Sequence, residues 1–314
     1  MSESMRAIRQ DVHGDPGVLR EVTLERPEPG PGEVLVRVRA AGVNPTDWKH
    51  RGGQGFLGQP PYVLGWDVSG VVEEIGVGVT LHKPGDEVFG MLPYPFGVGS
   101  HAEYTVGPAR GFAPKPSNVD HVQAGAIPLA ALTAWQALND TADLQSGQRV
   151  LIHAAAGGVG HLAVQIAKAK GAYVIGTATK GKHEFLRGLG ADELIDYTEA
   201  DFDKVLSDVD VVLDTIAADY RSRSLQVLRK GGILVTILPY DRKPLVAEAE
   251  ELGVRAETML VEDDQAGMQA VRELVEAGKL RAEIAATFPL AEAAKAHEMG
   301  ETGRTKGKLV LTVD

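Results

Sequence analysis

The chain has 314 residues, 44% of them hydrophobic and 24% charged, which suits a folded protein of about two domains. Its formal net charge of −11 opposes non-specific attraction to nucleic acid or anionic membrane, and its basic residues are scattered. It contains no cysteine, which excludes disulfides, thiolate catalysis and any Cys-ligated zinc.

No apolar run approaches the roughly 20 residues that span a bilayer, and Met1 to Arg6 lacks a signal-peptide core, so a cytoplasmic location is the expectation. From Met5 to about Tyr104 the chain reads as β-rich. Val34 to Arg39 alternates with period two, Val68 to Ile75 is another strand, and Gly/Pro stretches punctuate both, which predicts a barrel-like domain. From Gln123 the character changes. Ala124 to Trp135 is helix-prone. After it, strands over 150–152, 173–176, 193–195, 209–213 and 233–237 alternate with helical stretches such as 183–189 and 223–228, the pattern of a doubly wound parallel sheet. Helices over 265–277 and 290–299 and a strand over 309–313 close the chain.

The central stretch runs from Val150 to Gly160. An apolar strand, Val150-Leu151-Ile152-His153, leads through Ala154-Ala155-Ala156 into Gly157-Gly158-Val159-Gly160, and a helix follows to Lys170. Small residues let a backbone approach a ligand, and the free N–H groups of a helix start stabilise a pyrophosphate. The strict G-x-G-x-x-G spacing is not kept, because Ala154 and Gly157 replace its first two glycines. A second strand from Tyr173 to Gly176 nevertheless completes a βαβ unit of about 30 residues, so the turn predicts a dinucleotide site.

Asn44-Pro45-Thr46-Asp47, Gly65-Trp66-Asp67-Val68-Ser69-Gly70, Lys83-Pro84-Gly85-Asp86-Glu87-Val88, the Ala124 to Trp135 segment, Gly157-Gly158-Val159-Gly160 and Gly303 to Leu311 together resemble the medium-chain dehydrogenase/reductase superfamily. Within it the chain is similar to the zinc-independent quinone oxidoreductase and enone reductase branch, which includes zeta-crystallin. The resemblance implies an α/β protein in which residues 1–127 and 264–314 form a GroES-like β-rich catalytic domain and residues 128–263 a Rossmann NADP-binding domain. It also implies a homodimer.

Zinc-dependent relatives place a Cys where Asn44 stands and Gly-His-Glu where Gly65-Trp66-Asp67 stands, so no catalytic zinc is expected. None of the nine histidines pairs at a metal-binding helix spacing, and His101 reads as a surface or strand feature. Without a strong electrophile for alcohol oxidation, the expected reaction is transfer of hydride from NADPH to a quinone or to the C=C bond of an α,β-unsaturated carbonyl, with hydrogen-bond donors stabilising the developing oxyanion. A non-catalytic NADP(H)-binding sensor or structural protein and a zinc-free alcohol or aldehyde reductase are the alternatives.

NADPH is favoured over NADH because Gly176 to Lys182 lacks the acid that holds a ribose 2′-OH. It offers Thr177, Thr179, Lys180 and Lys182 instead, and the resemblance adds Tyr197, which implies a 2′-phosphate site using either lysine. The resemblance also implies cofactor contacts from Asn44, Thr133, Gly157, Gly158, Val159, Ile216, Leu238 and Lys308, with Lys306 as the alternative to Lys308. Tyr62, Lys49 and Asp47 are the catalytic candidates. A phenol or ammonium can donate to an enolate oxygen, while Asp47 lies in the loop that replaces the zinc site.

Overall fold

The computed structural model describes residues 3–238 and 242–314. The chain forms two compact units. The first comprises Met1–Leu132, Glu262–Ala277 and Arg281–Asp314, the second Thr133–Val261 and Gly278–Leu280.

The first unit is built on β-structure. Strands β1 (Ser4–Gln10), β2 (Arg20–Glu25), β3 (Glu33–Val43), β4 (Tyr62–Val63), β5 (Asp67–Ile75), β6 (Glu87–Met91), β7 (Tyr104–Pro108) and β8 (Phe112–Pro114) precede helices α2 (His121–Gly125) and α3 (Pro128–Trp135), and helix α1 (Pro45–Arg51) leaves the end of β3. The helix-prone segment over 124–135 is thus two helices, split ahead of Pro128, whose ring disfavours helical geometry in the preceding residue. A seven-stranded sheet has the order β15-β16-β3-β5-β6-β8, with β7 also on β3, and a smaller sheet has the order β2-β1-β4. Strand β3 is flanked by partners on both edges and buries Val34, Leu35, Val36, Val38, Ala40 and Ala41, so it carries the core.

The second unit contains strands β9 (Arg149–Ile152), β10 (Tyr173–Thr177), β11 (Glu193–Ile195), β12 (Val209–Asp214), β13 (Leu228–Thr236) and β14 (Arg255–Thr258), with helices α4 (Gly160–Ala169), α5 (His183–Gly188), α6 (Phe202–Val205), α7 (Tyr220–Val227) and α8 (Arg242–Leu252) between them. Its sheet is parallel throughout, in the order β11-β10-β9-β12-β13-β14. The sequence pattern lacks β14 and α8, whose mixed polar faces carry little periodic signal. Strand order reverses between β9 and β12, which places a ligand crevice outside the carboxyl end of β9. Helix α9 (Gln265–Glu276), strand β15 (Ile284–Pro289), helix α10 (Ala293–Glu301) and strand β16 (Lys308–Thr312) complete the chain. The pairing of β16 with β3 returns the C-terminal segment to the first sheet.

Candidate active site

In the second unit, the β9 to α4 turn is a cradle for phosphate. Ala154 adopts φ 45°, the left-handed region, and begins the reversal. A Cβ at Gly160 would overlap the Ala154 carbonyl oxygen, and one at Gly176 would lie 2.9 Å from the Ala155 Cβ. Only glycine lets the chain close this tightly. The N–H groups of Gly158 and Val159 have no acceptor among the described residues, and the first turn of α4 holds no acid. The cradle therefore fits a bound pyrophosphate.

Thr177 and Ile195 pair across β10 and β11, which sets Thr179 and Tyr197 at the carboxyl ends of adjacent strands. Thr177 is fully buried and braces the turn, whereas Tyr197 is 48% exposed. Lys180 is exposed and has no ion-pair partner among the described residues, while Lys182 is half-buried. Sequence reasoning gave no role to Asp196. Its carboxylate accepts from the Lys180 N–H at 2.7 Å and from the Thr198 N–H and hydroxyl, and the Thr198 hydroxyl foremost holds it below the usual carboxylate range. This acid is spent on shaping the loop. Ile216 follows β12, its N–H donating to Asp214 Oδ1 at 2.9 Å, Leu238 follows β13, and Thr133 is buried near the end of α3.

The first unit holds a buried polar network at the end of β3. Asn44 sits at the N-cap of α1, where an Asn side chain ordinarily satisfies the helix. Here it turns away. Its Nδ2 donates to Asp67 Oδ2 at 2.8 Å and its Oδ1 accepts from Lys308 Nζ. Lysine has donors only, so the carboxamide oxygen must face it and Nδ2 must face Asp67. Lys308 also lies 3.4 Å from Asp67 Oδ2, and the second Asp67 oxygen accepts from the Leu129 N–H at 2.6 Å. Asn44, Asp67 and Lys308 are 2%, 0% and 2% exposed, so the ion pair is shielded from solvent. This burial separates Lys308 from Lys306, which pairs with Glu283 at 2.7 Å.

Asp47 makes the reciprocal contact of the cap, its Oδ2 accepting the Asn44 N–H at 2.7 Å, while its own N–H donates to the Asn44 carbonyl at 2.9 Å. Burial, reinforced by the Asp67 charge, pushes its carboxyl up to about 8 against the opposing Asn44 N–H and Lys308. On the same helix, His50 Nδ1 faces the Thr46 carbonyl at 2.8 Å and Nε2 accepts the Phe56 N–H at 2.9 Å. A carbonyl accepts only, so Nδ1 carries the hydrogen, and burial lowers the pKa and keeps the ring neutral. Thr46 Oγ1 lies 3.0 Å from the Tyr94 hydroxyl, a contact the sequence did not disclose.

Tyr62 and Lys49 lie outside this network. The Tyr62 hydroxyl donates to the His50 carbonyl at 3.1 Å and lies 3.0 Å from His13 Nε2, while Lys49 is exposed on α1. His101, expected at a surface or on a strand, is instead fully buried, its ring 6.1 Å from that of His297, because Gly65 leaves room that a Cβ would fill. At the positions where zinc-dependent relatives carry Cys and His stand Asn44 and a fully buried Trp66. Among the described residues no three His, Asp or Glu side chains group as metal ligands.

Comparison with known proteins agrees with this architecture. The model of the alcohol dehydrogenase GroES-like domain matches residues 30–117, and that of zinc-binding dehydrogenase matches residues 189–311. The chain is 35% identical to the mouse mitochondrial NAD(P)H oxidoreductase RTN4IP1, covering 90% of this chain and 82% of the relative. It is 37% identical to a 2-haloacrylate reductase of a Burkholderia species, over 90% and 91% of the two chains. The quinone oxidoreductase structure from Coxiella burnetii superposes with a TM-score of 0.94 at 39% identity, covering 99% of this chain and 100% of that one. The chain belongs to the medium-chain dehydrogenase/reductase superfamily, in its quinone oxidoreductase branch, and is an NAD(P)H-dependent oxidoreductase.

Proposed function

We propose that the protein uses NADPH to reduce quinones or the C=C bond of α,β-unsaturated carbonyl compounds, and that it does so without zinc. One observation carries the reading. Where zinc-dependent relatives hold metal ligands, this chain has a closed hydrogen-bonded set, Asn44, Asp67 and Lys308, whose positive charge is already paired with a carboxylate. Such a set offers no Lewis acid to an alkoxide, but its donors and the neutral Asp47 suit an oxyanion spread over an enolate or a hydroquinone. A relative that reduces a haloacrylate supports the choice of an activated double bond.

Bound NADPH supplies the hydride. The cradle of Gly157, Gly158 and Val159 holds its pyrophosphate, and Thr179, Tyr197 and the exposed Lys180 hold its 2′-phosphate. Asn44 keeps one Nδ2 hydrogen beyond that given to Asp67, and Lys308 fixes the orientation in which it is presented. Asp47 holds a proton at neutral pH. Tyr62, already donating to a carbonyl, and the exposed Lys49 are the weaker candidates for donors to substrate. The reading carries with it a cytoplasmic homodimer acting on a small molecule, with neither nucleic acid nor membrane as partner. Sedimentation showing only monomer at micromolar concentration would remove the dimer.

The test is consumption of NADPH and NADH with a benzoquinone, a naphthoquinone, an alkenal, an alkyl enone and a simple aldehyde. NADPH-selective turnover of the quinones or conjugated carbonyls is the expected result. A preference for the simple aldehyde would contradict the reading, and cofactor binding without any turnover would favour a sensor.

A further inference from the structure

We propose that His153 is a positioning residue for the dinucleotide turn, acting through the hydroxyl of Thr177; this rests on reading that turn as the dinucleotide site. His153 is fully buried just beyond the carboxyl end of β9. Its main chain is fixed on both sides. The N–H donates to the Leu213 carbonyl at 3.1 Å, and the carbonyl accepts from the Thr215 hydroxyl at 2.8 Å. Its ring bridges two further hydroxyls, with Nδ1 3.2 Å from Thr177 Oγ1 and Nε2 2.8 Å from Ser224 Oγ. Both partners are fully buried, and the rings of Phe202 and Tyr220 stand edgewise to the imidazole at 4.6 and 5.1 Å.

The ring ties Thr177 to this set in either tautomer. Thr177 Oγ1 accepts the Ala154 N–H at 3.2 Å, and its other side-chain contact is His153 Nδ1: the hydroxyl donates to a bare Nδ1 when Nε2 carries the hydrogen, and accepts from Nδ1–H when it does not. The Thr177 carbonyl accepts the Ala155 N–H at 3.0 Å. One threonine therefore holds both residues that reverse the chain, and the first of them, Ala154, sits at φ 45°, a region a Cβ disfavours. Either way the Nδ1 contact fixes the place of the Thr177 oxygen that meets the Ala154 N–H, and burial, which pushes the His153 pKa down to about 4, keeps the ring neutral. Loss of Nδ1 would leave the Thr177 hydroxyl free to rotate and loosen the cradle, without altering any group that meets the cofactor.

Two substitutions separate the ring nitrogens. An Asn carboxamide reaches the place of Nδ1 and a Gln carboxamide that of Nε2, so His153→Asn keeps the bond to Thr177 and His153→Gln keeps the bond to Ser224. Equilibrium titration of the full-length variants with NADPH and with NADH, alongside their melting temperatures, decides the matter. His153→Asn should bind within about threefold of wild type, whereas His153→Gln and Thr177→Val should each weaken both dinucleotides by about fivefold to tenfold. The His153→Gln, Thr177→Val double variant should bind no more weakly than either single variant, since both remove the same link. At saturating cofactor, kcat of the two His153 variants should change by less than about twofold. Equal losses for His153→Asn and His153→Gln, or losses that follow melting temperature alone, would overturn the proposal by making His153 a packing residue. A wild-type chain that binds neither dinucleotide would overturn the reading of the turn itself.

Discussion

The cradle of the second unit and the buried polar network of the first are built on opposite principles. The cradle after β9 is main chain. Its donors are backbone N–H groups, its shape comes from the absence of Cβ atoms at Gly160 and Gly176, and its parts lie close together in the sequence. The network around Asn44 is side chain. Its donors and acceptors come from the end of β3, the start of β5, the start of α3 and the start of β16, and Lys308 and Asn44 are 264 residues apart. A cradle of main chain tolerates side-chain change where no Cβ intrudes, whereas a buried ion pair fails when either partner is lost.

The largest expected effect tests that fragility. Lys308→Met leaves the Asp67 carboxylate buried without its cation, which should destabilise the first unit by about 3 kcal/mol or more, read as a lower urea midpoint. Adding Asp67→Asn should recover part of the loss, and no recovery would show that the pair is not the cause. The counterpart in the cradle is Gly160→Val, whose side chain must push against the Ala154 carbonyl. Overpacking of this kind costs about 1–3 kcal/mol, so dinucleotide affinity should fall at least about fivefold, and an unchanged Kd would remove the cradle from the binding site.

These regions were unequally legible in the sequence. The cradle, the parallel sheet and the order of strands β9 to β13 are written in contiguous periodicity and small-residue runs, so they can be read directly. The bond from Lys308 to Asn44 and the burial of His101 depend on the return of β16 to β3 and on the room left at Gly65, and no local pattern encodes either. The Asn44 side chain breaks a local rule by leaving its helix cap, which is the kind of departure expected at a functional site. Lys180 and Lys182 were indistinguishable by spacing and are separated only by exposure.

A smaller effect sharpens that last distinction. Lys180→Ala should raise KM for NADPH about tenfold and leave NADH unchanged, because only the former carries the 2′-phosphate. Equal changes for both cofactors would place the lysine elsewhere.

The smallest effect concerns pH and again divides the polar set. His101, pushed down to about 4 by burial, and His297, pushed well below its usual range chiefly by burial, stay neutral when folded. The unfolded chain takes up their protons as pH falls through about 6.5, so stability present above that pH is lost progressively in acid. Asp47 acts in the other direction. Its folded carboxyl is raised to about 8, so its contribution is full below about pH 4 and is lost as pH rises through 8. Melting temperatures of Asp47→Asn from about pH 5 to about pH 9 should lose the alkaline slope and keep the acid one. A retained alkaline slope would mean that Asp47 is ionised in the folded chain.

The most direct test of the account follows the hydride. The metal-free enzyme, dialysed against EDTA and assayed for metal, is supplied with NADPH deuterated at the transferring position and an alkyl enone, and the product is examined by NMR. The account predicts undiminished turnover with deuterium on the former β-carbon of a saturated ketone. Deuterium on a carbinol carbon, or activity that vanishes on metal removal and returns with zinc, would contradict it.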